Sequence, residues 1–184
     1  MTSSGTVEGS ERLRLFCALT LPDAVLDRIV DWQRHVLPLD VRFVPRENLH
    51  VTVAFLGSRP ATDAGRVATE LRAAAAQASP MRLSLRGYRE TRSVGMLTFD
   101  DLGEHAGAFA SDVFIRLERL GVYEPEKRRW LPHVTVARFR QPPRLRPALP
   151  DLREVVPSDA AVYLSQLRPG GAEYVVLESF ALGG

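Results

Sequence analysis

Apolar and polar positions fall in short blocks along the chain, and the blocks switch between two periods. From Leu13 to Leu21 the residues are nearly all apolar, which predicts a buried strand. Pro22-Asp23 then opens a helix, because proline suits a first turn and an acid suits the positive N-terminal end. Val25, Ile29, Trp32 and Val36 keep helical spacing on one face, and Pro38 ends it. A short strand over 41–44 and a turn at 45–48 lead to a strand from Leu49 to Leu56, closed by Gly57. Residues 63–78 are alanine-rich and helical, and 81–88 and 94–99 read as two strands. Residues 104–120 form a further amphipathic helix, with Phe109, Val113, Leu117 and Leu120 on one face and Gly121 just past its end. A strand follows over 131–139, then a loop rich in proline and arginine over 140–150. A hairpin of 161–167 and 174–182 closes the chain across Pro169-Gly170-Gly171. Residues 1–11 are small and polar, the composition of a disordered leader, which leaves 12–184 as one domain.

Helices and strands in this mixed order predict an α+β fold. The two halves also rhyme. Each has a helix and then strands, and each spells His-Val-Thr-Val-Ala, at 50–54 and at 133–137. That is the mark of an internal duplication with approximate two-fold symmetry. Strict strand alternation puts His50, Thr52 and Ala54 on one face and Val51, Val53 and Phe55 on the other, a core face. The second copy divides in the same way, His133, Thr135 and Ala137 against Val134 and Val136. Phe55 is accordingly expected in the core.

A lone strand histidine is ordinarily a packing residue. A packing residue has no need to repeat with a threonine at the same offset. His35 and His105 lack such a neighbour and read as surface residues. Histidine titrates near neutrality, so one of a pair can act as base while the other acts as acid. Two threonine hydroxyls on the same face can donate to oxyanions. Two of each, brought together by symmetry, would surround a tetrahedral anion such as phosphate.

Composition adds little. The net charge of +2 permits an anionic partner without demanding one. Lys127 is the sole lysine among 24 cationic residues. That skew follows from coding composition as readily as from phosphate binding. A single cysteine, Cys17, excludes an internal disulfide. No apolar run approaches the ~20 residues that span a bilayer, and the one after Arg14 is too short for a signal peptide. A cytoplasmic protein without membrane contact is expected.

The paired His-x-Thr motifs resemble those of the 2H phosphoesterase superfamily, and within it the RNA 2′,3′-cyclic phosphodiesterases, also called 2′-5′ RNA ligases. Family-like stretches surround both copies: RLFCALTLP, VPRENLHVTVAFLG, EPEKRRWLPHVTVAR and the ending LSQLRPGGAEYVVLESFAL. The resemblance implies a bilobal fold of pseudo-two-fold units, with antiparallel sheets lining a central groove and helices outside. It implies hydrolysis of a 2′,3′-cyclic phosphate on RNA or nucleotide ends to a 2′-phosphomonoester, with no metal or cofactor. Reversible 2′-5′ ligation would accompany it. His50 would donate a proton to the leaving 3′ oxygen, His133 would activate water, and Thr52 and Thr135 would bind phosphate. Arg138 follows the second motif where the family often has arginine. Strict alternation would turn it away from His133, so only a twist or bulge would bring it to the groove. Its counterpart in the first copy is Phe55. Tyr123 and Trp130, flanking Lys127-Arg128-Arg129, could stack on and track a single strand, or simply form a lobe edge.

Two other functions fit the motifs less well. A metal-dependent phosphoesterase needs three or more converging ligands, and each motif offers one histidine and no carboxylate. A non-catalytic RNA-end-binding module would tolerate loss of a histidine, yet both are present. A 2H enzyme for another small cyclic phosphate stays open. One chain supplies both motifs, so a monomer suffices.

Overall fold

The computed structural model describes residues 11–183. The expected leader lies outside them apart from Glu11, whose carbonyl accepts the Ala61 N–H at 2.8 Å. The chain runs β1 (Arg12–Leu19), α1 (Asp23–Val36), β2 (Arg42–Phe43), β3 (Val51–Pro60), α2 (Asp63–Ala76), β4 (Arg82–Glu90), β5 (Val94–Leu102), α3 (His105–Arg119), β6 (His133–Arg138), β7 (Glu154–Val155), β8 (Asp159–Arg168) and β9 (Gly171–Ala181). The strand expected to end at Gly57 runs on through it to Pro60. Gly57 takes φ +69°, which a glycine adopts without strain, and sits where β3 slips register against β1.

The strands form one antiparallel sheet in the order β7-β4-β5-β6-β3-β1-β8-β9, with β2 paired to β6. Its midline falls between β6 and β3. Reading outward from there, the halves correspond: β6, β5, β4, β7 on one side and β3, β1, β8, β9 on the other. In each half a helix joins two neighbouring antiparallel strands, β1 to β3 through α1 and β5 to β6 through α3. The duplication read from the sequence is therefore a duplication of strand–helix–strand units. At the midline β3 and β6 meet at one register pair, Val51 opposite Val134, the same position in each copy, and β2 of the first half adds Arg42 and Phe43 opposite Arg138 and Ala137 of β6.

Alternation along β1 shows how the sheet divides its faces. Leu15, Cys17 and Leu19 join the main core with Ile29 of α1, Leu71 of α2 and Val113 of α3. Phe16 and Ala18 point the other way, into a small cluster with Ala161, Tyr163 and Tyr174. The helices cover one face, and the aromatic cluster floors the other. The helical spacing read from α3 is matched by burial of Phe109, Val113 and Leu117, and Gly121 closes it at φ +75°. At its start the Asp101 carboxylate accepts the N–H groups of Ala106 and Gly107, at 3.2 and 2.7 Å, satisfying donors that a helix start leaves free. The 140–150 loop is tied down by Glu90, which accepts the N–H groups of Arg144 and Leu145, both at 2.8 Å. The Trp32 indole donates to its Ala148 carbonyl at 2.6 Å.

Candidate active site

Both motif strands carry a β-bulge at the same offset. On β3, Thr52 pairs with Ala18 and Ala54 with Cys17, so Val53 is the extra residue. On β6, Thr135 pairs with Met96 and Ala137 with Gly95, so Val136 is the extra residue. One extra residue shifts the face parity of everything after it. Ala54 and Ala137 are therefore buried, at 1% and 0% exposure, where strict alternation put them on the histidine face. Arg138 is carried onto the face of His133 and Thr135. Phe55 is carried onto the face of His50 and Thr52 and is 50% exposed, so the expectation of a core phenylalanine is corrected. The second bulge is clamped from the core. Buried Gln33 donates its amide to the Val136 carbonyl at 2.7 Å and to the Val44 carbonyl at 3.0 Å, and the Val44 N–H also reaches Val136 at 3.0 Å.

Antiparallel pairing of Val51 with Val134 sets His50 across from Thr135 and Thr52 across from His133. A cavity of about 370 Å³ is lined by His50, Thr52, Thr135 and Arg138, together with Arg42, Phe55 and Tyr174. A second, of about 410 Å³, is lined by His133, Tyr123, Arg128, Arg129 and Trp130, and it shares Thr52 and Phe55 with the first. Four of the five residues singled out from sequence thus line the first cavity and His133 lines the second, and the two cavities adjoin at Thr52 and Phe55 to form the groove. The Trp130 indole donates to the Thr52 carbonyl at 3.0 Å, fastening the segment before the second motif onto the first. No residue of 140–150 lines either cavity. His35 and His105 are exposed outside the groove.

The two histidines are held by one device used twice. His50 Nδ1 donates to the Asn48 carbonyl and His133 Nδ1 to the Leu131 carbonyl, each at 2.8 Å and each two residues back. A carbonyl only accepts, so Nδ1 carries the proton and Nε2 is left as the acceptor atom of each neutral ring. The Thr52 hydroxyl donates to His50 Nε2 at 3.0 Å. His50 stands among the rings of Phe16, Tyr163 and Tyr174, with centroids 4.9, 5.5 and 5.4 Å away. Burial there pushes its pKa down to about 4, and the positive charges of His133 and Arg138 push the same way. Cys17 is fully buried, which raises its thiol to about 12 and removes it as a nucleophile. Among the described residues no three His, Cys, Asp or Glu side chains converge as metal ligands, and no helix is long and apolar enough to cross a membrane.

Sequence reasoning missed Arg42, Asn48, Phe55 and Tyr174 as groove residues. Asn48 donates its amide to the Ala172 carbonyl at 2.8 Å and so ties the β8–β9 hairpin to the first motif. Only the bulge, which alternation does not reveal, would have found Phe55.

The fold of paired strand–helix–strand units is shared with proteins of known class. The profile of the 2′-5′ RNA ligase superfamily matches residues 21–166, and the chain belongs to this superfamily. An RNA 2′,3′-cyclic phosphodiesterase of Thermus thermophilus is 32% identical, over 94% of this chain and 91% of that protein. Another protein of that name, from Methanothermobacter thermautotrophicus, is 26% identical over 93% of this chain and 100% of its own. Among solved structures, one from Thermus thermophilus superposes with a TM-score of 0.80 at 32% identity, covering 94% of this chain and 99% of that one. E. coli LigT in apo form superposes at 0.77 with 25% identity, covering 95% and 100%.

Proposed function

We propose that the protein hydrolyses 2′,3′-cyclic phosphate ends of RNA or of small nucleotides to 2′-phosphomonoesters, by acid–base catalysis between His50 and His133 and without a metal. The observation that carries this reading is the matched pair of Nδ1-locked histidines, each presenting Nε2 to the same groove. His133 takes a proton from water as the oxygen attacks phosphorus. The bond from phosphorus to the 3′ oxygen breaks, and His50 gives that oxygen its proton. Thr52, Thr135 and Arg138 hold the non-bridging oxygens, and Thr52 turns its hydroxyl from His50 Nε2 to the phosphate when substrate enters. In the empty groove His50 is neutral at pH 7. A bound phosphodiester anion opposes the positive charges that depress its pKa, so the substrate supplies part of the field that lets His50 carry a proton. The same steps with a 5′ hydroxyl in place of water would join that end through a 2′-5′ link, and their reversal would cleave it. One chain holds both motifs, and we infer a monomer, one domain over 12–184, working in the cytoplasm.

The low pKa of His50 favours a second reading, in which His50 is the base and His133 the acid. A cyclic substrate with sulfur in place of the 3′ oxygen separates the two, because a thiolate leaves without a proton. Whichever of His50→Ala and His133→Ala recovers on that substrate has lost the acid. The function as a whole is tested on RNA ending in a cyclic phosphate, in excess chelator, scoring 2′- against 3′-phosphate product. Binding without turnover would leave an RNA-end-binding module instead.

A further inference from the structure

The phosphodiesterase reading uses Arg138 and leaves a second guanidinium beside it without a role. Arg42 on β2 is the register partner of Arg138 on β6, so the two side chains share one face. Both line the cavity that holds His50, Thr52 and Thr135. Like charges directly opposite each other on paired strands are destabilising. Here neither guanidinium has a carboxylate partner among the described residues. Arg42 is nonetheless held in place. Its Nη1 donates to the Gly170 carbonyl at 3.2 Å, at the tip of the β8–β9 hairpin. The guanidinium lies close against that turn: Gly171 takes φ +126°, and a Cβ on Gly171 would lie about 3.0 Å from it. The hairpin tip is fixed in turn by Asn48, which precedes the first motif.

A reacting cyclic phosphate offers two non-bridging oxygens. Thr52, Thr135 and Arg138 already supply donors for both. A second anion beside the first would neutralise the pair of guanidiniums and give Arg42 a partner. We propose that Arg42 binds a second phosphate of the substrate, the one on the 5′ oxygen of the nucleoside that carries the cyclic phosphate. This rests on the phosphodiesterase reading and narrows its substrate. The groove is built for ribonucleotide ends that continue through a 5′-phosphate, rather than for bare nucleoside 2′,3′-cyclic phosphates.

The experiment compares three substrates of one base: the nucleoside 2′,3′-cyclic phosphate, the same compound with a 5′-phosphate, and the dinucleotide ending in the cyclic phosphate. The first lacks the second phosphate, the second has it as a monoester, and the third as a diester. A charge-assisted hydrogen bond corresponds to about 10- to 100-fold in affinity. Wild type is expected to favour both phosphate-bearing substrates by about tenfold or more in kcat/KM. Arg42→Ala brings that preference close to one, and Arg42→Lys recovers part of it. A preference shared by the 5′-monophosphate and the dinucleotide supports the proposal, whereas a preference for the dinucleotide alone would assign the contact to the added nucleoside and overturn it. A wild-type preference near one would overturn it. So would an equal loss on all three substrates in Arg42→Ala, which would place Arg42 on the reacting phosphate. If wild type turns over none of the three, the phosphodiesterase reading falls and the proposal falls with it.

Discussion

The two copies of His-Val-Thr-Val-Ala have the same backbone and different surroundings. Each has a bulge at its second valine, a buried alanine after it, and a histidine whose Nδ1 bonds the carbonyl two residues back. Beyond those features they part. His50 stands against Phe16, Tyr163 and Tyr174, while His133 opens beside Trp130, Arg128 and Arg129. The residue after the motif is Phe55 in one copy and Arg138 in the other. The outermost strand is 11 residues long in the first half, as β9, and 2 in the second, as β7. The shared backbone fixes where the two Nε2 atoms point. The unequal surroundings bury His50 among aromatic rings, which lowers its pKa.

The largest test of this comparison removes each histidine. His50→Ala and His133→Ala should each lower kcat on cyclic-phosphate-ended RNA by about 10²- to 10⁴-fold, the usual worth of a positioned acid or base. Circular dichroism should show both variants folded. If one variant keeps near-full activity, the copies do not form an acid–base pair.

The next effect is the pH dependence of stability, and it should belong to one copy. His50 has a folded pKa of about 4 against an ordinary value near 6.5. Between those values the unfolded chain binds the proton and the folded chain does not, so stability rises with pH. The contribution is fully present above pH 6.5 and is lost as pH falls towards 4, on the order of 3 kcal/mol in all. Urea unfolding of wild type and His50→Gln over that range should show the slope in the first and its loss in the second. An unchanged slope would mean that other groups carry it.

Much of this was legible in the sequence because the relevant rules are local. Helix spacing located α1 and α3, alanine content located α2, and the repeated motif pointed to two related halves. The four His and Thr residues fell on one face because they precede the bulges, where alternation still holds. What alternation could not deliver lies after each second valine. A bulge depends on what pairs across the strand and, for Val136, on a glutamine more than a hundred positions away. Hence Phe55 and Ala54 were assigned to the wrong faces, and Arg138 could be placed only by allowing for a distortion. Arg42 was invisible for the same reason. It sits on a strand of 2 residues, and its importance comes from the strand it pairs with.

The clamp on that second bulge gives a smaller effect. Gln33→Leu keeps the side chain's bulk and removes two buried hydrogen bonds, leaving the Val44 carbonyl without its donor. A loss of about 2 kcal/mol is expected, which for a chain of this size is a fall in Tm of roughly 4–8 °C. Because the clamp holds the turn that aims Arg138, kcat/KM should fall as well. A drop in Tm with kcat/KM unchanged would show that the bulge keeps its shape without Gln33.

The smallest effect bears most directly on where the copies diverge. A phenylalanine in a packed core costs about 3–5 kcal/mol when cut to alanine. Phe55 is half exposed, and its neighbours are Phe16 at 6.1 Å between centroids and the Arg14 guanidinium at 5.8 Å from its ring. Phe55→Ala should therefore cost less than about 1 kcal/mol, or under about 4 °C in Tm. Leu56→Ala, one residue on and 5% exposed, should cost about 2 kcal/mol or more. Melting the two variants side by side reads the face of each residue directly. Strict alternation from His50 makes Phe55 the costly substitution and Leu56 the cheap one, and the bulge at Val53 exchanges them. A Tm for Phe55→Ala below that of Leu56→Ala would restore the phenylalanine to the core and remove the contrast with Arg138.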